Sequence, residues 1–171
     1  MFDAAVLGVD PGIARLGLAV VRRARGGGSS LEWCDAVTTP PGVDEPRRLR
    51  TIADAVRGAI ETHRPGGVAV ERVAWNRNAS SAMAVARATG VVLLAAAEAG
   101  VPVREYGPLE VKMAVRGVGN AAKSHVRAAL GRAHGLSNVP SQPDAADAVA
   151  VAVCDLAQSR TRDAVARAGA R

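Results

Sequence analysis

Apolar and polar positions alternate in short blocks over the first forty or so residues, then settle into helical periods. Residues 4–9 form an unbroken apolar run, Gly17–Val21 a second, and Leu31–Val37 a third with alternating polar positions. Blocks of this length predict β-strands, and the Gly/Ser cluster at 26–30 predicts the turn between the last two. From Pro46 to about His63 the period changes: Leu49, Ile52, Ala53, Val56 and Ile60 fall on one face, which predicts a helix stopped by Arg64-Pro-Gly-Gly67. A fourth strand is predicted at 68–71 and a helix at about 80–98, ended by Gly100. That helix is apolar nearly all round from Gly90 to Ala97, which predicts burial on more than one side, with a subunit interface as one candidate.

The remaining pattern is shorter. Residues 101–106 predict a strand in which Pro102 marks an edge or a start. Pro108 opens a short helix to about Val115, and Asn120 is placed to cap another from Ala121. Residues 136–143 predict a loop. The last helix begins around Ser141-Gln-Pro-Asp144, with Ser141 as N-cap. The order, three consecutive strands followed by helix-linked ones, predicts an α/β fold: a mixed sheet with helices on its faces. Residues 1–158 form one domain, and 159–171 read as an Arg-rich flexible tail.

Composition narrows the chemistry. With 49% hydrophobic but only 2% aromatic residues, the core must be built from Ala, Val and Leu. No uninterrupted apolar stretch of membrane-spanning length is expected, and the N-terminus lacks a basic leader. Cys34 and Cys154 have no metal-binding or disulfide spacing; they read as small buried hydrophobes in a reducing cytoplasm. His63, His125 and His134 likewise lack ligand spacing. The net charge is +6, of which Arg160, Arg162, Arg167 and Arg171 against Asp163 supply +3. The body is mildly basic, which suits a nucleic-acid partner without requiring one.

Four carboxylates stand out against this background. Asp10 closes the first apolar run before Pro11-Gly12, Glu71 closes the fourth, and Asp144 and Asp147 open the last helix. Two strand ends and one helix start can converge in an α/β fold, and a cluster of carboxylates calls for cations or shared protons. Hard oxygen donors suit Mg²⁺ or Mn²⁺. Each residue also has a plain structural reading: Asp10 beside a Pro-Gly turn, Glu71 in a solvated ion pair with Arg72, Asp144 as a helix cap. Asp147, one turn further in on the same face, is harder to explain that way. Trp75, with Asn76, Arg77 and Asn78, suits base stacking and phosphate contact, or else core packing. Lys112 and Lys123 are either phosphate contacts or solvated lysines; Lys123 follows a Gly-rich loop.

In sequence order, Leu-Gly-Val-Asp-Pro-Gly (7–12), Gly17-Leu18, Val-Glu-Arg-Val (70–73) with Asn78, Glu-Tyr-Gly-Pro-Leu-Glu-Val-Lys (105–112), Gly-Val-Gly-Asn-Ala-Ala-Lys (117–123) and Pro-Asp-Ala-Ala-Asp-Ala-Val-Ala-Val-Ala (143–152) resemble the RuvC family of Holliday junction resolvases. The resemblance runs from residue 6 to about 157. It implies a ribonuclease-H-like mixed five-stranded sheet flanked by helices, and a structure-specific endonuclease that nicks four-way junction DNA in pairs, leaving 5′-phosphate and 3′-hydroxyl ends. It implies Asp10, Glu71, Asp144 and Asp147 as metal-binding catalytic residues holding two Mg²⁺ (or Mn²⁺) ions, and Lys112 and Lys123 near the DNA backbone. A homodimer, a branch-migration motor complex as partner and a cytoplasmic location follow from the same likeness. The chain departs from the family where an aromatic residue is common: Ala74 stands there, and Trp75 next to it is the candidate replacement. Two other readings stay open: a junction-binding module without catalysis, and a related nuclease acting on RNA or an RNA–DNA hybrid.

Overall fold

The computed structural model describes residues 5–24, 28–72, 79–116 and 126–169. Five strands form one sheet: β1 (Ala5–Asp10), β2 (Arg15–Arg23), β3 (Ser29–Thr38), β4 (Gly67–Glu71) and β5 (Val103–Tyr106). Their order is β3-β2-β1-β4-β5. β1, β2 and β3 pair antiparallel, whereas β4 joins β1 and β5 joins β4 in parallel. The parallel pairs need crossover connections, and helices supply them. α1 (Glu45–His63) links β3 to β4, and α2 (Ala79–Glu98) links β4 to β5. α3 (Pro108–Arg116), α4 (Val126–His134) and α5 (Pro143–Gly169) follow. The mixed five-stranded sheet is therefore the one expected. β5 lies at the edge, and Pro102 sits just outside it, where its carbonyl accepts a bond from Val68 N–H at 2.9 Å.

The sheet divides the core in two by simple alternation. Leu7, Val9, Leu16, Leu18, Val20, Val68 and Val70 point to the side covered by α1 and α2. Val6, Ala19, Val21, Ala69 and Tyr106 point to the other side, against α5 and parts of α3 and α4. α1 is capped by Arg64, whose φ of 47° is left-handed and whose N–H reaches the Ile60 carbonyl at 2.9 Å. The chain then turns directly into β4.

Three expectations need correction. The last helix continues to Gly169 instead of giving way to a tail at 159. Residues 159–169 are rich in Ala and Arg and contain no Pro, so nothing local stops the helix. Cys34 is half-buried on β3, the exposed edge strand, while Cys154 is buried as expected. Desolvation, and secondarily Asp35, raises the Cys34 thiol pKa, so it stays protonated. Lastly, one helical segment, Ser81–Glu98, is long and apolar enough to cross a membrane, with a mean hydropathy of 1.4. Its inner side packs on the sheet and α1, through Ala88, Val92, Ala95 and Ala96. Its outer side leaves Met83 and Leu94 exposed, at 55% and 54%. The expected helix start at Ala121 with Asn120 as cap lies outside the described residues.

Ile52 on α1 is fully buried on the side of the sheet away from α5. Ile52→Ala is expected to cost about 2–5 kcal/mol in urea unfolding, with no effect on chemistry at the opposite face beyond that of reduced stability.

Candidate active site

Register decides where the strand carboxylates go. Val6 and Gly8 of β1 face α5, so Asp10, two residues further, faces it too. On β4, Ala69 faces α5 and so does Glu71. The parallel pairing runs to Val9 opposite Val70, and Asp10 and Glu71 are the next residue on each strand. They are thus lateral neighbours on one face of the sheet, at the same end. On the other side of β1, Asp10 pairs with Gly17 of β2.

Glycine brings the helix carboxylates to that point. A Cβ on Gly17 would overlap the Asp144 carbonyl group and lie 3.3 Å from the Ala148 Cβ. A Cβ on Gly8 would overlap the Ala148 carbonyl oxygen and sit 2.7 Å from the Ala152 N. Both glycines exist so that the α5 backbone can lie directly on β1 and β2. The start of α5 therefore rests on the residue paired with Asp10. Asp147, one turn after Asp144, shares that side of the helix.

Asp144 itself is informative. It lies in the first turn of α5, where the helix dipole favours a carboxylate. The first intrahelical bond runs from Ala146 N–H to the Gln142 carbonyl at 3.0 Å, so the cap position is Gln142 and not the expected Ser141. Asp144 Oδ2 is buried and has no hydrogen-bond partner among the described residues. Its ion-pair partner is Arg15 Nη1 at 3.8 Å, too far for a hydrogen bond. A buried carboxylate oxygen left in this way is costly unless something positive occupies the space beside it. Capping does not account for it.

Sequence reasoning missed three contributors, the first of them a pair of glycines. Gly8 and Gly17 were visible only as members of motifs, because their role is a contact with a helix far along the chain. Arg15 starts β2 on the same face as Gly17; an arginine alternating with that glycine was the available signal. Glu110 of α3 is the third. Its Oε2 accepts from Gly107 N–H at 2.7 Å and from Arg72 Nη2 at 2.8 Å, and its Oε1 from Gln158 Nε2 at 3.4 Å. These bonds, that from Gly107 first, lower its pKa. They also hold Arg72, the residue after Glu71, whose own N–H bonds the Tyr106 carbonyl at 2.8 Å. The plain structural reading of Glu71 pairs it with Arg72; in the structure Arg72 pairs across to Glu110 of α3.

Among the described residues, no group of three or more His, Cys, Asp or Glu side chains is gathered as a metal site. What the backbone supplies is a shared end and face for four carboxylates. The donor set is all oxygen, and one of its buried oxygens lacks a hydrogen bond, which fits a hard divalent cation. Lys112 is exposed on α3. Trp75, Arg77, Asn78 and Lys123 lie outside the described residues.

Comparison with known proteins gives one consistent likeness. The family described as crossover junction endodeoxyribonuclease RuvC matches residues 6–155. The crossover junction endodeoxyribonuclease RuvC of Nocardia farcinica is 46% identical over 149 residues, 87% of this chain and 79% of that protein. The protein of the same description from Moorella thermoacetica is 47% identical over 149 residues, 87% of this chain and 89% of its own. A solved structure of Thermus thermophilus RuvC in complex with a Holliday junction substrate superposes with a TM-score of 0.84 at 39% identity, covering 92% of this chain and 96% of that one.

Gly17→Ala is expected to push the start of α5 off the sheet. A displacement of about 1 Å at a reacting centre can cost about 10²-fold in rate. Cleavage assayed on junction DNA should fall by that order, while junction binding measured by gel shift is retained.

Proposed function

The chain belongs to the RuvC family of crossover junction endodeoxyribonucleases, hydrolases that resolve Holliday junctions in recombination and repair, and we propose that its cutting centre is the set Asp10, Glu71, Asp144 and Asp147. The observation that carries this reading is the placing of Asp10 and Glu71 side by side beneath the α5 turn that holds the orphaned Asp144 Oδ2. The set holds two Mg²⁺ or Mn²⁺ ions. When bound, such ions lower the pKa of water, orient a phosphodiester and neutralise the charge that develops on it.

The chain's own residues prepare the site in distinct ways. Asp10, on the central strand between Gly17 and Glu71, would hold an ion together with carboxylates from β4 and α5. Glu71 approaches from β4, and Asp144 and Asp147 from α5. Asp10 and Glu71 are next to each other on the sheet, and the backbone of Asp144 lies on Gly17 beside them. Arg15, at 3.8 Å from Asp144, offsets carboxylate repulsion before substrate arrives. The exposed Lys112, together with Lys123, Arg77 and Asn78, contacts the DNA backbone, and Trp75 stacks on a base in place of the aromatic residue that Ala74 replaces. Hydrolysis leaves 5′-phosphate and 3′-hydroxyl ends.

A four-way junction is close to two-fold symmetric, so two cuts call for two centres related by a two-fold axis. The outward face of α2, with Met83, Gly90, Leu94 and Ala97 exposed, is the apolar surface that supports a homodimer. Its occupation by a second copy also accounts for a helix whose apolar window is only 33% buried within one chain. The dimer acts in the cytoplasm with a branch-migration motor as partner.

Asp10→Asn should lower cutting of a junction by at least about 10²-fold with binding unchanged, in an assay run beside plain duplex and an RNA–DNA hybrid. Preferential cutting of the hybrid by the unsubstituted protein would contradict the substrate assignment. Leu94→Glu is expected to give folded monomers by light scattering; a persisting dimer would place the interface elsewhere.

A further inference from the structure

α5 presents an unusually uniform surface. Ala145, Ala146, Ala148, Val149, Ala150, Val151, Ala152, Val153 and Cys154 are all buried. Burial of apolar surface is non-directional. Side chains this small and alike offer few knobs to fix how far the helix slides or rolls on the sheet. The carboxylates at its start need that position fixed closely, because Asp144 and Asp147 must meet Asp10 and Glu71 on other elements.

One residue on α5 is of a different kind. Asp155 is 1% exposed, and it is the single charged side chain that is buried among the described residues. Arg104 of β5 grips it with both Nε and Nη2, the latter at 2.9 Å from Oδ2. Tyr106 of the same strand donates its hydroxyl to Oδ1 at 2.7 Å. Arg104 and Tyr106 are two residues apart and so point to the same face. A planar guanidinium fork meeting a carboxylate accepts only a narrow range of orientations. Arg23 of β2 adds bonds from its Nη2 to Ser159 Oγ at 2.8 Å and to the Leu156 carbonyl at 3.4 Å, but a single donor nitrogen fixes roll less closely than a two-nitrogen fork.

We propose that Asp155, held by Arg104 and Tyr106, is a positioning residue: it sets the roll and axial position of α5, and thereby where Asp144 and Asp147 stand relative to Asp10 and Glu71. This rests on the carboxylate reading of the cutting centre. Asp155 lies eight residues beyond Asp147, about 12 Å along the helix, so it acts through the rigidity of α5 and touches no substrate. Buried ion pairs are weak contributors to stability and are better suited to fixing one arrangement among near-equal ones. That separation of stability from placement is what makes the inference testable.

The decisive variant replaces the cluster by apolar residues, as Arg104→Met, Tyr106→Phe and Asp155→Leu together. Mn²⁺ binding is followed by electron paramagnetic resonance without DNA, alongside urea unfolding, junction binding and cleavage. Expected are an unfolding midpoint equal to or above that of the unsubstituted protein, Mn²⁺ binding weakened about ten-fold, cleavage reduced with it, and junction affinity unchanged. Asp155→Asn, which keeps size and part of the bonding, should fall between the two; if the apolar variant does not fold, the amide variant decides by the same comparison. Unaltered Mn²⁺ binding and cleavage in the folded variants would overturn the proposal. Failure of the carboxylate reading looks different: Asp10→Asn would then bind Mn²⁺ as well as the unsubstituted protein does.

Discussion

The contact on which the rest depends is backbone against backbone: the first turns of α5 lying on β1 and β2 at Gly8 and Gly17. No side chain separates helix from sheet there. The close approach joins two parts of the chain more than a hundred residues apart, and it brings a helix start over the ends of two strands. Any Cβ at these glycines would lift the helix and separate the carboxylates of α5 from those of β1 and β4. The scarcity of aromatic residues suits this arrangement, since Ala and Val let α5 sit low over its whole buried length.

The two faces of the sheet do different work. The side covered by α1 and α2 is a plain hydrophobic core, built from Leu, Val, Ile and Ala. The side under α5 carries the polar devices: the strand and helix carboxylates, Arg15 beside Asp144, the Arg72–Glu110 pair, and the buried Asp155 cluster. Arg72 and Glu110 are 56% and 42% exposed, so their pair contributes little to stability. Its consequence is local, holding the chain directly after Glu71. The face of α2 turned from the core adds a third surface, apolar and suited to another copy of the chain.

Much of this was legible in the sequence because it depends on local pattern. Apolar runs gave the five strands, periodicity gave α1, a long apolar stretch ended by Gly100 gave α2, and the carboxylates declared themselves by closing apolar runs at 10 and 71. The resemblance in ordered motifs gave the family, which the comparisons bear out. What stayed hidden was non-local. Gly17 looks like a strand residue until Asp144 is placed against it, and Asp155 looks like surface charge on a polar helix end until Arg104 and Tyr106 surround it. The helix beyond 158 was missed for another reason: arginine-rich sequence reads as tail by charge, although Ala and Arg both favour helix.

The central claim is that Asp10, Glu71, Asp144 and Asp147 share divalent cations at the end of the sheet. Crystals grown with Mn²⁺ and measured at a wavelength where manganese scatters anomalously test it most directly. The account predicts anomalous peaks within coordination distance of Asp10, with Glu71 and the α5 carboxylates completing the shells. A map in which manganese binds elsewhere, while these four side chains remain apart, would contradict it.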